Sequence, residues 1–433
     1  MIWRPLVSVG LVGCCLVLAV FPAAKAATDD GAPADAPAVD DMPVQETNEP
    51  SLQYVALDAP AGMSQAVVVQ GFPLVYTRQL LPLDGEGKLV GEGSADEQIE
   101  QALDNLEAVL DAAGSGLAHL VRLNVYALSH QAADRLREQL TGRLDPAVRP
   151  AMTVVLTPLP HRQALVAVDA VALAAAADPG SAPRQTLGLQ RVEAVAGDRD
   201  CADAAVLPPG GVAYLSGQPE KGGLAMSAVA QSLSTLLGRL EQLKLSPAQV
   251  VQVKVFLTPA SSADEALREV KKLFPGQLTP PVVFAEWIAS VPVEIELVAQ
   301  LPAAGQPAEN LEHYNPPEVR PSPAFSRVAL VHTQRQVFIS GLSARAAGDG
   351  EAQARDVFEQ LQSILAKTGS DMLRLAKATY YVSDDDGSRG IDILRREAFD
   401  PQHPPAASKV TVHAVGQPDR TLTIDVIAVG AGQ

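Results

Sequence analysis

Three times along this chain an apolar spacing of three and four residues gives way to a spacing of two. From Ser94 the residues Ile99, Leu103, Leu106 and Leu110 recur until Gly114, which predicts a helix with one buried face. Ser94 and Glu97 form a capping box at its start. Val121, Leu123 and Val125 then alternate with Arg122, Asn124 and Tyr126, the pattern of a strand. The order returns with Val229, Leu233, Leu236, Leu237 and Leu240 before Val251, Val253, Val255 and Leu257, and again with Val357, Leu361, Ile364 and Leu365, a stop at Gly369, and a strand from Leu375 to Val382.

Around each helix and strand the same neighbours recur. Apolar strands come first, a second helix follows (near 132–140, 263–273 and 391–399), and two apolar strands close the unit. The coarse order is β-β-α-β-α-β-β, which belongs to the α+β class. Proline-rich breaks through Asp178-Pro179-Gly180-Ser181-Ala182-Pro183 and from Ala303 to Pro323 divide the units. We therefore expect domains at 51–177, 187–302 and 321–430, with linkers at 178–186 and 303–320, consistent with the division of 433 residues by a typical domain size.

Composition adds constraints. Hydrophobic residues make up 47% of the chain but aromatics only 4%, so the cores are built mainly from Ala, Val and Leu. The net charge of −17, without a Lys/Arg cluster, argues against nucleic acid as a partner. Arg4, the apolar run Leu6 to Phe21 and Ala24-Lys25-Ala26 read as a signal peptide over 1–26. The expectation is export, with lipid attachment at Cys14 as the alternative. Residues 27–50, rich in Asp, Pro and Ala, have little to bury and are expected to be disordered. The chain beyond the leader keeps one cysteine, Cys201, so no internal disulfide is available to it.

Several short motifs then point to a family. Ala59-Pro60-Ala61-Gly62-Met63-Ser64-Gln65-Ala66-Val67 resembles the Gly-Pro-Tyr-Ser-Gln-Ala opening of the RidA/YjgF reactive-intermediate deaminases, also called endoribonuclease L-PSP-like proteins. Ala213-Tyr214-Leu215-Ser216-Gly217-Gln218-Pro219 and Phe338-Ile339-Ser340-Gly341 resemble that family's Ser-Gly-Gln strand. Lys377-Ala378-Thr379-Tyr380-Tyr381-Val382 is similar to its central strand, and Val293 to Ala299 to its closing strand. The resemblance covers nearly all of 51–430. It implies three tandem chorismate-mutase-like domains, and, since family members form trimers with small-molecule clefts between subunits, an intramolecular pseudo-trimer.

Family members hydrolyse reactive enamines and imines without metal or organic cofactor, so the resemblance implies no cofactor. The family arginine that grips the substrate carboxylate follows a Pro-Ala pair, and here Met152, Val282 and Ala407 occupy its place. The acidic residue of the closing strand survives as Glu294, with Ala167 and Thr423 in the other units. Thr77-Arg78-Gln79 stands in the first unit for Ser-Gly-Gln, with Arg78 at the glycine. Glu294 is thus the catalytic candidate, and Ser216, Gln218 and Ser340 are the substrate-binding candidates. Two readings stay open: an altered imine deaminase, or a binding or scaffold protein that has left that chemistry behind. The seven histidines lack metal-ligand spacing. Asp384-Asp385-Asp386-Gly387 reads as a solvated acidic turn.

Overall fold

The computed structural model describes residues 51–71, 73–174, 185–302 and 309–430. The leader, Cys14 and the acidic segment lie outside these residues. The first unit comprises β1 (Ser51–Val55), β2 (Ala66–Gln70), β3 (Leu74–Thr77), α1 (Ala95–Ala112), β4 (Leu120–Ala127), α2 (His130–Arg143), β5 (Ala151–Leu156) and β6 (Val166–Leu173). The second comprises β7 (Gly188–Gln190), β8 (Ala204–Leu207), β9 (Gly211–Glu220), α3 (Ala228–Gln242), β10 (Val250–Leu257), α4 (Ala263–Lys271), β11 (Val282–Glu286) and β12 (Val293–Leu301). The third comprises β13 (Leu311–Tyr314), β14 (Val328–Val331), β15 (Arg335–Leu342), α5 (Gly350–Lys367), β16 (Leu375–Val382), α6 (Asp385–Ala398), β17 (Ala406–Thr411), β18 (Ala414–Val415) and β19 (Leu422–Val429).

Each unit has one more opening strand than alternation predicts. β1, β7 and β13 are short and largely half-exposed or exposed, so they leave little periodic signal. β13 also falls inside the expected 303–320 linker, which corrects that boundary: its four residues pair with β14 despite the surrounding prolines. The acidic run at 384 is a helix start rather than a turn. Asp384 caps α6 by accepting the Gly387 N–H at 2.7 Å, and Asp385 and Asp386 follow in its first turn, where carboxylates complement the helix dipole. α1 begins as read, with Ser94 accepting the Glu97 N–H.

Three sheets result, with strand orders β18-β5-β4-β6-β3-β8-β7, β11-β10-β12-β9-β14-β13 and β1-β2-β15-β19-β16-β17. Every sheet borrows a hairpin. The first unit's β1–β2 pairs with β15 of the third, the second unit's β7–β8 with β3 of the first, and the third unit's β13–β14 with β9 of the second. The borrowed strands complete foreign cores: Ala66 and Val68 pack beneath α5, Ala204 and Val206 in the α1 core, and Val328 in the α3 core. Two further apolar clusters draw buried residues from all three units, one around Tyr76, Tyr214 and Phe338 and one around Tyr126, Phe256 and Tyr381.

Candidate functional site

Strand register identifies equivalent positions in the three units. On β9 the pairing with β12 steps from Leu215↔Leu297 to Gln218↔Ile295, so Ser216 and Gly217 bulge opposite Glu296. On β15 it steps from Ile339↔Val426 to Leu342↔Ile424, leaving Ser340 and Gly341 opposite Asp425. In the first unit Tyr76 pairs with Val171 and Leu80 bridges Val168, so Arg78 and Gln79 form the bulge opposite Asp169. Gln79, not Arg78, therefore stands at the glycine position. A bulge breaks the alternation on which a sequence register depends, and the sequence-based alignment slips there by one residue.

Each bulge meets the start of another unit's penultimate strand. Between the first and third units, Ser340 Oγ accepts the Met152 N–H at 2.9 Å and donates to Ser64 O at 2.5 Å. Between the third and second, Ser216 Oγ accepts the Ala407 N–H at 2.7 Å and donates to Ser326 O at 2.5 Å. These hydroxyls clasp backbone to backbone. Both serines are buried, and their hydrogens are spent on main-chain oxygens, which revises their expected role as substrate donors. Gln218 points away from this junction into the helix layer, where Arg239 donates to its Oε1 and its own Nε2 donates to Glu220 at 2.9 Å.

What surrounds each bulge differs. At the first junction an added Cβ on Gly341 would lie 3.2 Å from both Thr153 Cγ2 and Thr423 Oγ1, and an open cleft of about 340 Å³ extends past Met152 and Val154. At the second, a Cβ on Gly217 would fall 1.9 Å from Glu294 Oε1 and 2.8 Å from Ser408 Oγ; the carboxyl fills the space the glycine leaves. Burial, reinforced by the like charge of Glu296, pushes Glu294 up to about 8, against the opposing pull of Ser408 and Lys377. At the third junction, between the second and first units, Gln79 fills the gap: its N–H donates to Val282 O at 3.1 Å and its Nε2 to Phe284 O at 2.8 Å. Arg78 turns aside to the buried carboxylate of Asp203, Nε to Oδ1 2.6 Å. Met152, Val282 and Ala407 stand at matching positions, opposite Leu123, Val253 and Ala378.

A family model described as Endoribonuclease L-PSP matches residues 54–174 and 317–430, more than half the chain. The chain belongs to the endoribonuclease L-PSP family. A RutC family protein of Synechocystis is 30% identical over 124 residues, 28% of this chain and 94% of the relative. Protein DfrA of Myxococcus xanthus is 32% identical over 110 residues, 25% of this chain and 83% of that protein. Among solved structures, a Rid family protein of unknown function, YyfB from Yersinia pestis, is 26% identical, covering 28% of this chain and 98% of its own with a TM-score of 0.25. A YjgF family member from Neisseria meningitidis is 19% identical, covering 28% and 97%, with a TM-score of 0.22.

In this L-PSP family chain, sequence reasoning passes over a buried charged layer at the meeting of the sheets. Arg122, Lys254 and Lys377 on the central strands face Asp169, Glu296 and Asp425 on the closing strands, around a cavity of about 40 Å³. Arg122 of the first unit pairs with Asp425 of the third at 3.3 Å, and Lys377 of the third with Glu296 of the second at 2.5 Å. Lys254 of the second unit donates to the Tyr381 hydroxyl at 2.9 Å. Burial raises the Asp169 carboxyl of the first unit, against the opposing pull of the Lys254 charge. Asp169 accepts from Tyr126 at 2.7 Å and Asn124 at 2.8 Å. The available signal was the carboxylate recurring at one register in three closing strands.

Cys201 occupies the place of Met63 and Phe325, because Asp203, Gln65 and Arg327, each two residues on, accept the backbone N–H of the equivalent bulge residues Arg78, Ser340 and Ser216. Burial pushes its thiol up to about 11, which removes it as a nucleophile. Among the described residues, no group of three or more His, Cys, Asp or Glu could hold a metal ion, and no helix is long and apolar enough to cross a membrane.

Proposed function

We propose that this protein is a small-molecule-binding member of the family, folded as an intramolecular pseudo-trimer, in which the family's imine hydrolysis has been given up. One observation carries the reading: the acid and the room have parted. Glu294 sits at the junction where its own side chain fills the glycine gap, whereas the open cleft has Thr423 at the acidic position and Met152 at the arginine position. A substrate in the open cleft meets no carboxylate on the closing strand to position water, and nothing at the strand position forks onto its carboxylate. The cyclic loan of hairpins supports the pseudo-trimer, since linkage gives each hairpin a high effective concentration near its receiving strand. The leader Arg4 to Ala26 supports export.

The test is release of ammonia from amino-acid-derived 2-imino acids by the purified chain, together with ligand-induced thermal shifts. No turnover above the uncatalysed rate, with shifts abolished by Met152→Trp, is the expected outcome. A second reading, residual hydrolysis at the second junction, is favoured by the raised pKa of Glu294, which suits a general acid at neutral pH. Turnover that disappears in Glu294→Ala would establish it and overturn the first.

A further inference from the structure

We propose that the open cleft recognises a zwitterionic small molecule with a short apolar side chain, of the α-amino acid kind; the inference rests on reading that cleft as a ligand site. Its walls carry two charges of each sign. Asp134 and Arg137 come from α2 of the first unit, Asp58 from the loop after β1, and Arg345 from the loop after β15 of the third. Met152 and Leu342 form apolar wall between them.

The pairing of these charges decides which are available. Arg345 is committed to Asp356, with Nε to Oδ1 at 2.8 Å and its N–H on the other carboxylate oxygen at 2.6 Å. Among the described residues Arg137 pairs with Asp134 alone, three residues earlier on the same helix, at 3.1 Å and with both side chains partly solvated. Such a pair contributes little and rearranges readily, so Arg137 can turn its planar fork to a ligand carboxylate. That exchange releases Asp134, which together with Asp58 then faces an ammonium.

Other ligand classes fit less well. A simple anion would gain Arg137 but lie beside Asp58 and Asp134, with the cleft's other cation, Arg345, already paired with Asp356. An uncharged molecule would strip water from four ionic groups and return no hydrogen bond of equal strength. A volume near 340 Å³ lies at the small end of ligand sites, which suits one metabolite.

Calorimetric titration of the full chain with L-methionine, its methyl ester and N-acetyl-L-methionine separates the classes. The free amino acid is expected to bind at least tenfold more tightly than either blocked form. Arg137→Ala should weaken the amino acid and the N-acetyl compound by about tenfold, leaving the ester unchanged. This substitution on a partly exposed helix face keeps the test independent of whether Met152→Trp folds. Equal binding of a blocked form, or no binding by any of the three, overturns the proposal. The cleft as a ligand site fails separately, if a thermal-shift screen of charged and neutral metabolites yields no shift that Met152→Trp removes.

Discussion

Breaking the Lys377–Glu296 pair tests whether the charged layer holds the units together. Both side chains are almost wholly buried, they belong to different units, and they pair at 2.5 Å, with Ser408 donating to the second Glu296 oxygen at 2.6 Å and Lys254 standing opposite Glu296 on the neighbouring strand. Lys377→Met leaves a carboxylate in the interior with one neutral donor and no cation in direct contact, the nearest remaining charge being Lys254 across the strand pair. Removing one partner of such a pair typically costs about 3 to 5 kcal/mol. With an unfolding entropy of about 2.1 cal/mol/K per residue over roughly 380 residues, or about 0.8 kcal/mol/K, the midpoint should fall by about 4 to 6 °C if the three units unfold together.

Differential scanning calorimetry of Lys377→Met, Glu296→Leu and the double variant gives the coupling directly. The double variant leaves neither charge of the pair, only the neutral hydroxyls of Ser408 and Thr379 short of a partner, so it should recover at least about 2 kcal/mol relative to the sum of the single losses. Losses that merely add would refute the argument, because the two charges would then be compensated by something other than each other. A single variant costing less than about 1 kcal/mol would refute it equally, since a charge so easily abandoned is not buried in the way the packing requires.

Other outcomes follow from the junctions. Gly217→Ala should destabilise by about 1 to 3 kcal/mol, because its Cβ meets Glu294 Oε1 at 1.9 Å, whereas Gly341→Ala, at 3.2 Å from its neighbours, should cost clearly less in chemical denaturation. Glu294 has a folded pKa of about 8, above its ordinary 4.5. The folded state therefore binds more protons than the unfolded one between those values, and stability should fall as pH rises from about 5 to 8 and then level. Glu294→Gln should flatten that window in urea titrations. Gln79→Ala should lose its bond to Phe284 O and cost about 1 to 2 kcal/mol, read as a shifted denaturation midpoint at unchanged slope.

Much of this architecture is legible in the sequence, because helix periodicity and strand alternation report one buried face, and three faces repeat. The central and closing strands of each unit, together with Met152, Val282 and Ala407, stand where their neighbours in sequence put them. Legibility ends where a residue's role depends on another unit. Nothing in the local pattern of Ala66 to Gln70 says that these residues pair with β15 of a unit more than 260 positions away. Arg78 was misplaced because two bulged residues face one partner, and Ser216 resembles a ligand donor until its proton is followed to Ser326 O. Alternation puts Lys254 on the face of its strand opposite Val253 and Val255; only the closing together of three sheets makes both faces interior.

The divergence of the junctions is itself a consequence of linkage. In an assembly of identical subunits any substitution appears at every junction, so a glutamine that seals one cleft seals all three, and a serine clasp lost in one is lost in each. Here Gln79 closes one junction while Gly217 and Gly341 persist in the others, and the acidic position is Ala167, Glu294 and Thr423 in turn. The charged layer follows the same rule, since the residues equivalent to Arg122 are Gln252 and Lys377, and the second unit supplies its cation two residues later at Lys254. A sealed junction no longer has to admit a ligand and is free to take the side chains that pack best. That freedom lets the second and third junctions pack for cohesion while the first keeps its opening, a difference that identical copies cannot reach.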